Sequence, residues 1–162
     1  MKVLKFGGTS VANAQNINRV IDIILANERD TAIVVSALGG ITDELIKLAT
    51  LASKGDLKYK IIFSGICERH NKVIKGLIKS ESREKVLSEI NKKYSELEAI
   101  IKNIFTAKEL SLSALDAVMS FGEQLSAYIV SEAIKSRKVL CEFVDARALI
   151  KTDDNFGSAN VD

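Results

Sequence analysis

A chain of 162 residues that is 47% hydrophobic has the length and apolar content for one core, or for part of a larger domain. With 23 Lys and Arg against 21 Asp and Glu, its net charge of +2 offers no field that would select nucleic acid or an anionic membrane surface. Trp is absent and aromatics make up 6%, which also argues against base-stacking platforms. No apolar run approaches the roughly 18 residues of a membrane span, and MKVLKFGGTS is too short an apolar opening for a signal peptide. Cys67 and Cys141 form no CxxC pair and read as reduced thiols filling small core spaces. The expectation is a soluble, cytoplasmic chain.

Val3 to Phe6 predicts a strand ending at Gly7-Gly8. Ser10 is then expected to cap a helix whose apolar positions Ile17, Val20, Ile21, Ile24 and Leu25 follow the helical period. Thr31 to Ala37 is a nearly unbroken β-branched run, the pattern of a strand buried on both faces of a parallel sheet. It ends at Gly39-Gly40, and a helix is expected from about Thr42 to Ser53. Between Leu57 and Phe105 charges become dense and two helical patterns flank a break near Ser80-Glu81-Ser82. In the second, Leu87, Ile90, Tyr94, Leu97, Ile101 and Ile104 alternate spacings of three and four, a coiled-coil seam. Ile62, Ile66, Val73 and Leu77 of the first are its simplest partners, giving a helical hairpin over 57–105 whose work is structural; a seam between chains is the alternative. A long helix over Ser113 to Arg137 and a third strand over Val139 to Val144 follow. Strand, glycine turn, helix and strand again describe βα units with right-handed crossovers in a three-layer α/β sheet. The run from Asp145 to Asp162 is polar, without helical period or closing element.

Three clusters could carry chemistry. Lys5-Phe6-Gly7-Gly8-Thr9-Ser10 places a cation at a strand end beside two glycines and ahead of a helix N-terminus. Those features suit a phosphate cradle, and a plain tight turn suits them equally. The lysine precedes the glycines, so this is no Walker A loop, and GxGxxG is absent. Ser36-Ala37-Leu38-Gly39-Gly40-Ile41-Thr42-Asp43 also lies where a strand gives way to a helix, the edge at which open α/β sheets bind ligands. Its hydroxyls Ser36 and Thr42 could contact a ligand; a capped turn is the structural alternative. In Ser120 to Ser126, Glu123 interrupts the stripe Met119, Ala127, Val130 and Ile134, beside Gly122, which leaves the helix surface open. A buried carboxylate there needs a cation or several hydrogen-bond donors, and either a ligand ammonium or a structural Lys or Arg could serve. His70 falls on the apolar side of the hairpin with no second ligand at metal spacing, and reads as a core-edge residue. The Lys and Glu runs from Lys79 to Lys102 read as solvated faces.

In this order, KFGGTSV (Lys5 to Val11), SALGGIT (Ser36 to Thr42), SFGEQLS (Ser120 to Ser126) and VDAR with TDDNFG (Val144 to Gly157) resemble successive motifs of aspartate kinases, over nearly the whole chain. The resemblance implies the amino-acid-kinase (carbamate-kinase-like) fold, partial here, with residues 1–162 as the N-terminal portion of one catalytic domain. It implies transfer of the ATP γ-phosphoryl to the β-carboxylate of L-aspartate, with Mg²⁺ bridging the phosphates and no metal bound by the protein itself. Lys5 would neutralise the transferring phosphoryl, with Phe6, Gly7, Gly8 and Thr9 around the nucleotide phosphates. Ser36 and Thr42 would contact aspartate, and Glu123 would hold its ammonium or order the groups that do. Such catalysis is mostly positioning and charge stabilisation, which fits the lack of a nucleophile–His–Asp set. Relatives are expected to continue with a glycine-rich run carrying an arginine and an aspartate, then the adenine-binding part and regulatory modules, and in some a homoserine dehydrogenase. A homo-oligomer is expected. Two other readings stay open: a relative acting on another small carboxylate, carbamate or nucleotide, and a non-enzymatic module that binds a metabolite or partner.

Overall fold

The computed structural model describes residues 2–26 and 31–161. Strands β1 (Lys2–Phe6) and β2 (Thr31–Val35) pair in parallel, Lys2 opposite Thr31 and Phe6 opposite Val35. In chain order α1 (Ala14–Leu25) lies between them, and α2 (Ile41–Ser53), α3 (Tyr59–Leu77), α4 (Ser80–Ala107) and α5 (Leu112–Lys135) follow, then one turn of helix, α6 (Ala146–Leu149). The α/β class read from the sequence is borne out, with helix dominant. No helix among the described residues is long and apolar enough to cross a membrane.

The periodic positions of α1 behave as their spacing demands: Ile17, Val20, Ile21 and Ile24 are buried, while Leu25 turns outward. Its start differs from expectation. Asn13, not Ser10, is the N-cap, its side chain accepting from the Asn16 N–H at 2.9 Å. Ser10 instead closes a turn, its N–H donating to the Gly7 carbonyl. The sheet also departs from a strand covered on both sides. Leu4, Phe6, Ile33 and Val35 join the core, whereas Val3 and Val34 are 60% and 49% exposed. Side chains alternate across a strand, and among the described residues helices cover one face only.

Val139 to Val144 is not a strand. The segment runs without a ladder partner and Leu140 is fully exposed. An apolar run becomes a strand only where a neighbour supplies hydrogen bonds. Here Phe143 is held by its ring instead, edge-on to Tyr128 with centroids 5.6 Å apart and the Lys93 ammonium above it. The polar tail is closed more than its composition suggested: Asp153 accepts from the N–H of Asn155 and Asn160, and the Gly157 N–H reaches Asp116 of α5 at 2.8 Å. Its last residue, Asp162, lies outside the described residues.

The 57–105 hairpin forms as α3 and α4. Ile90, Tyr94, Leu97, Ile101 and Ile104 are buried, but Val86 takes the inward position expected of Leu87. A straight helix drifts by about 20° per heptad from a strict seam, so the first turns present a different residue. The seam is covered within this chain by α2 and α5 as well as α3. Not every charge in the run is merely solvated: Arg83 donates to the Ile78 carbonyl at 2.9 Å and to that of Lys75 at 3.3 Å, capping carbonyls at the C-terminal end of α3. Both cysteines are free and partly buried, and burial pushes the Cys67 thiol up to about 11, leaving it un-ionised and unreactive.

His70 lies inside the core rather than at its edge, fully enclosed, its Nδ1 2.8 Å from the Ile66 carbonyl and its Nε2 without a partner. Burial outweighs that bond and lowers its pKa from 6.5 to about 4. The folded state thus binds fewer protons than the unfolded one between those values. Stability contributed above pH 6.5 is lost as pH falls toward 4, by on the order of 3 kcal/mol at most. Denaturant midpoints at about pH 7 and about pH 5 should differ clearly in the native protein and much less in His70→Asn, which keeps a donor for Ile66 but cannot charge. An equal acid sensitivity in both would place it on other groups.

Candidate functional site

Two glycine turns at the ends of β1 and β2 meet back to back. The Ser36 N–H donates to the Phe6 carbonyl at 3.0 Å, extending the pairing beyond β2 and holding the turns together. A side chain at Gly8 would come within 3.2 Å of the Ala37 carbonyl. One at Gly39 would meet the Ala12 methyl at 3.1 Å and the Gly8 carbonyl at 3.2 Å. Both contacts are tighter than an ordinary Cβ makes, so close backbone packing favours glycine at Gly8 and Gly39.

Within the first turn, Lys5 points from the uncovered sheet face and folds back so that its Nζ stands 4.0 Å from where a Gly7 Cβ would be. Its side chain enters no ion pair or hydrogen bond among the described residues, and no bond engages the N–H groups of Gly7, Gly8 or Thr9 there. The carbonyls of Gly7 and Gly8 accept from Ser10 and Val11, which fixes the turn and leaves those amides at its rim. An ammonium above free amides is a cradle for an anion. At the start of α1 the Asn13 side chain takes up the Asn16 N–H, while the N–H groups of Ala14 and Gln15 have no partner among the described residues.

The second turn leads into α2 through Gly40, whose φ of +80° is left-handed and whose missing side chain provides no cap. The N–H groups of Thr42 and Asp43 consequently have no partner among the described residues. Ser36 and Thr42, both half-buried, stand at opposite ends of this turn.

Glu123 reaches the same turn from α5, its Oε1 accepting from the Ala37 N–H at 3.2 Å. It is exposed rather than buried in an apolar stripe, and no Lys or Arg pairs with it among the described residues. Of the stripe around it, Val130 and Ile134 are buried and Met119 and Ala127 partly so, and the buried face of α5 also takes in Val118, Phe121, Leu125 and Ile129. Gly122 does not open the helix surface; it is buried, and a Cβ there would lie 2.8 Å from the Ala37 methyl. Its neighbour Gln124 is turned inward, donating to Ser120 at 2.9 Å and accepting from Lys93 at 3.4 Å.

Sequence reasoning missed Arg69. From the middle of α3 its Nη2 donates to the Gly39 carbonyl at 2.7 Å and its Nη1 to Glu44 at 3.2 Å. Nothing in the local pattern distinguishes it from the solvated charges around it. Lys5 with Gly7 to Thr9, the 36–42 turn, Glu123 and Arg69 therefore share one end of the sheet. A cation, several free amides and a carboxylate at one strand edge can hold a phosphate beside a small zwitterion. No group of three or more metal-ligating side chains that could hold an ion occurs among the described residues.

The sequence matches the amino acid kinase family over residues 1–161. It is 30% identical to bifunctional aspartokinase/homoserine dehydrogenase 1, chloroplastic, of Zea mays, over 99% of this chain and 17% of that protein. Identity to lysine-sensitive aspartokinase 3 of Escherichia coli (strain K12) is also 30%, covering 99% of this chain and 34% of that one. The structure resembles Escherichia coli aspartokinase III solved with lysine and aspartate, at a TM-score of 0.89 and 28% identity, across 100% of this chain and 35% of that one. Against the same enzyme solved with aspartate and ADP the TM-score is 0.88. The chain spans about a third of the length of that relative.

Proposed function

The chain belongs to the amino acid kinase family, and from that membership and its converging turns we propose that its residues serve an aspartate kinase. A carboxylate oxygen of aspartate attacks the γ-phosphorus of ATP, the bond to the β–γ bridging oxygen breaks, and ADP leaves with that electron pair. The product is an acyl phosphate. Lys5 and the amides of Gly7, Gly8 and Thr9 bind the phosphates, with Phe6 fixing the turn through its carbonyl; Mg²⁺ enters with ATP, on the phosphate oxygens. Ser36, Thr42 and the free amides at the start of α2 face the acceptor, and Glu123 its ammonium. The observation that carries this reading is the contact of the two glycine turns, which brings a cation and a carboxylate to one strand edge. A relative solved with aspartate and ADP supports the substrate pair. The reading extends to a cytoplasmic homo-oligomer.

The test is to incubate the complete protein with aspartate, Mg²⁺ and ATP and to trap the acyl phosphate with hydroxylamine. Aspartyl hydroxamate is expected. Product from glutamate or carbamate, with none from aspartate, would move the protein to another acceptor within the family.

Glu123→Gln separates charge from shape, because the amide oxygen still accepts from Ala37 while the ammonium loses its counter-charge. The KM for aspartate should rise about tenfold, as expected of one partly exposed charge-assisted bond, with kcat nearly unchanged. A fixed KM with a lowered thermal midpoint would make Glu123 a structural residue only.

A further inference from the structure

Opposite charges grip the 36–42 turn from two sides. Glu123 takes the Ala37 N–H, and Arg69 gives a hydrogen bond to the Gly39 carbonyl. Neither backbone group has another partner among the described residues. Between Ala37 and Thr42 the turn is also held by the buried side chains of Leu38 and Ile41 and by the Ile41 N–H bond to the Leu38 carbonyl. Gly40 is left-handed and carries no side chain, and the Arg69 guanidinium lies 3.9 Å from where its Cβ would stand. The planar fork spans two acceptors at once, the Gly39 carbonyl and Glu44 in the first turn of α2. It therefore ties the turn to the helix start whose free amides face the acceptor. Arg69 and Glu44 side chains are each 37% exposed, so their ion pair alone adds little; the bond to Gly39 is the specific element.

We propose that Arg69 is a positioning residue for the acceptor: it fixes the turn bearing Ser36 and Thr42 and thereby sets affinity for the amino-acid substrate. This rests on the aspartate-kinase reading. It also means that the α3–α4 hairpin reaches the site at one residue, beyond its structural task.

Two measurements on the complete protein test it. In Arg69→Ala the KM for aspartate should rise about tenfold, with the KM for ATP and kcat changed by no more than about twofold. Arg69→Lys should recover part of the loss, because an ammonium reaches one acceptor but not both. The second readout needs no activity. The Ile41 amide, bonded to the Leu38 carbonyl at 2.9 Å across the turn, should exchange about tenfold faster in Arg69→Ala, while α5 amides are unchanged. If the native protein phosphorylates no aspartate, the function falls and the exchange result alone judges the grip on the turn. Unchanged Ile41 exchange overturns the proposal. In an active enzyme, so does an unchanged KM for aspartate, whether or not the thermal midpoint falls.

Discussion

Replacing Lys5 by Ala is expected to slow phosphoryl transfer to aspartate by on the order of 10²–10³-fold while leaving the thermal midpoint almost where it was. The two halves of that expectation have separate causes. Charge grows on the transferring phosphoryl and its leaving oxygen as the bond breaks, and a fixed ammonium lowers the energy of that state more than of the ground state. Lys5 is placed for this by the strand: it lies next to the last residue of β1, and its ammonium stands above Gly7. Stability is spared because the side chain is exposed and bonds to nothing among the described residues. Single-turnover rates with saturating aspartate and ATP provide the check. Near-native turnover in Lys5→Ala would remove Lys5 from the reaction, whereas a large fall in the thermal midpoint would show that the lysine had been holding the fold.

How far the sequence foretold this arrangement depended on the range of the interaction. Ile17, Val20, Ile21 and Ile24 were legible because a helix repeats its buried face within one turn, a purely local rule. The two glycine turns were legible for a related reason: a β-branched run ending at Gly-Gly announces a strand edge whatever lies elsewhere. Glu123 was found at its correct turn but given the wrong burial, since exposure depends on which helix covers Met119 and Ala127, and spacing along α5 does not contain that. Gly122 was misread for the same reason, its space being filled by Ala37 from 85 residues earlier in the chain. Arg69 and Arg83 were illegible in another way. Both bond to backbone carbonyls, which every residue carries, so nothing complementary in sequence marks the pair. Val139 to Val144 has the composition of a strand, but pairing belongs to the neighbour as much as to the segment.

Truncating Leu97 to Ala should cost roughly 2–5 kcal/mol of stability and leave the substrate constants of the folded protein unchanged. Leu97 is fully enclosed near the middle of α4, between Tyr94 and Ile101 on the same face. The Tyr94 hydroxyl, bonded to the Cys67 carbonyl at 3.3 Å and to Asn71 at 3.2 Å, pins this stretch of α4 against α3, which limits how far the helices can close over a cavity. Partial closure is what places such truncations in the upper part of their range. Because α2, α3 and α5 cover the seam within one chain, the decrement should be the same at high and low protein concentration. Paired denaturant melts of the native protein and Leu97→Ala, each at two concentrations well apart, would decide it. A decrement that shrinks on dilution would mean that α4 completes its seam with a second chain, and a change in the KM for aspartate would mean that the hairpin acts on the site by more than Arg69.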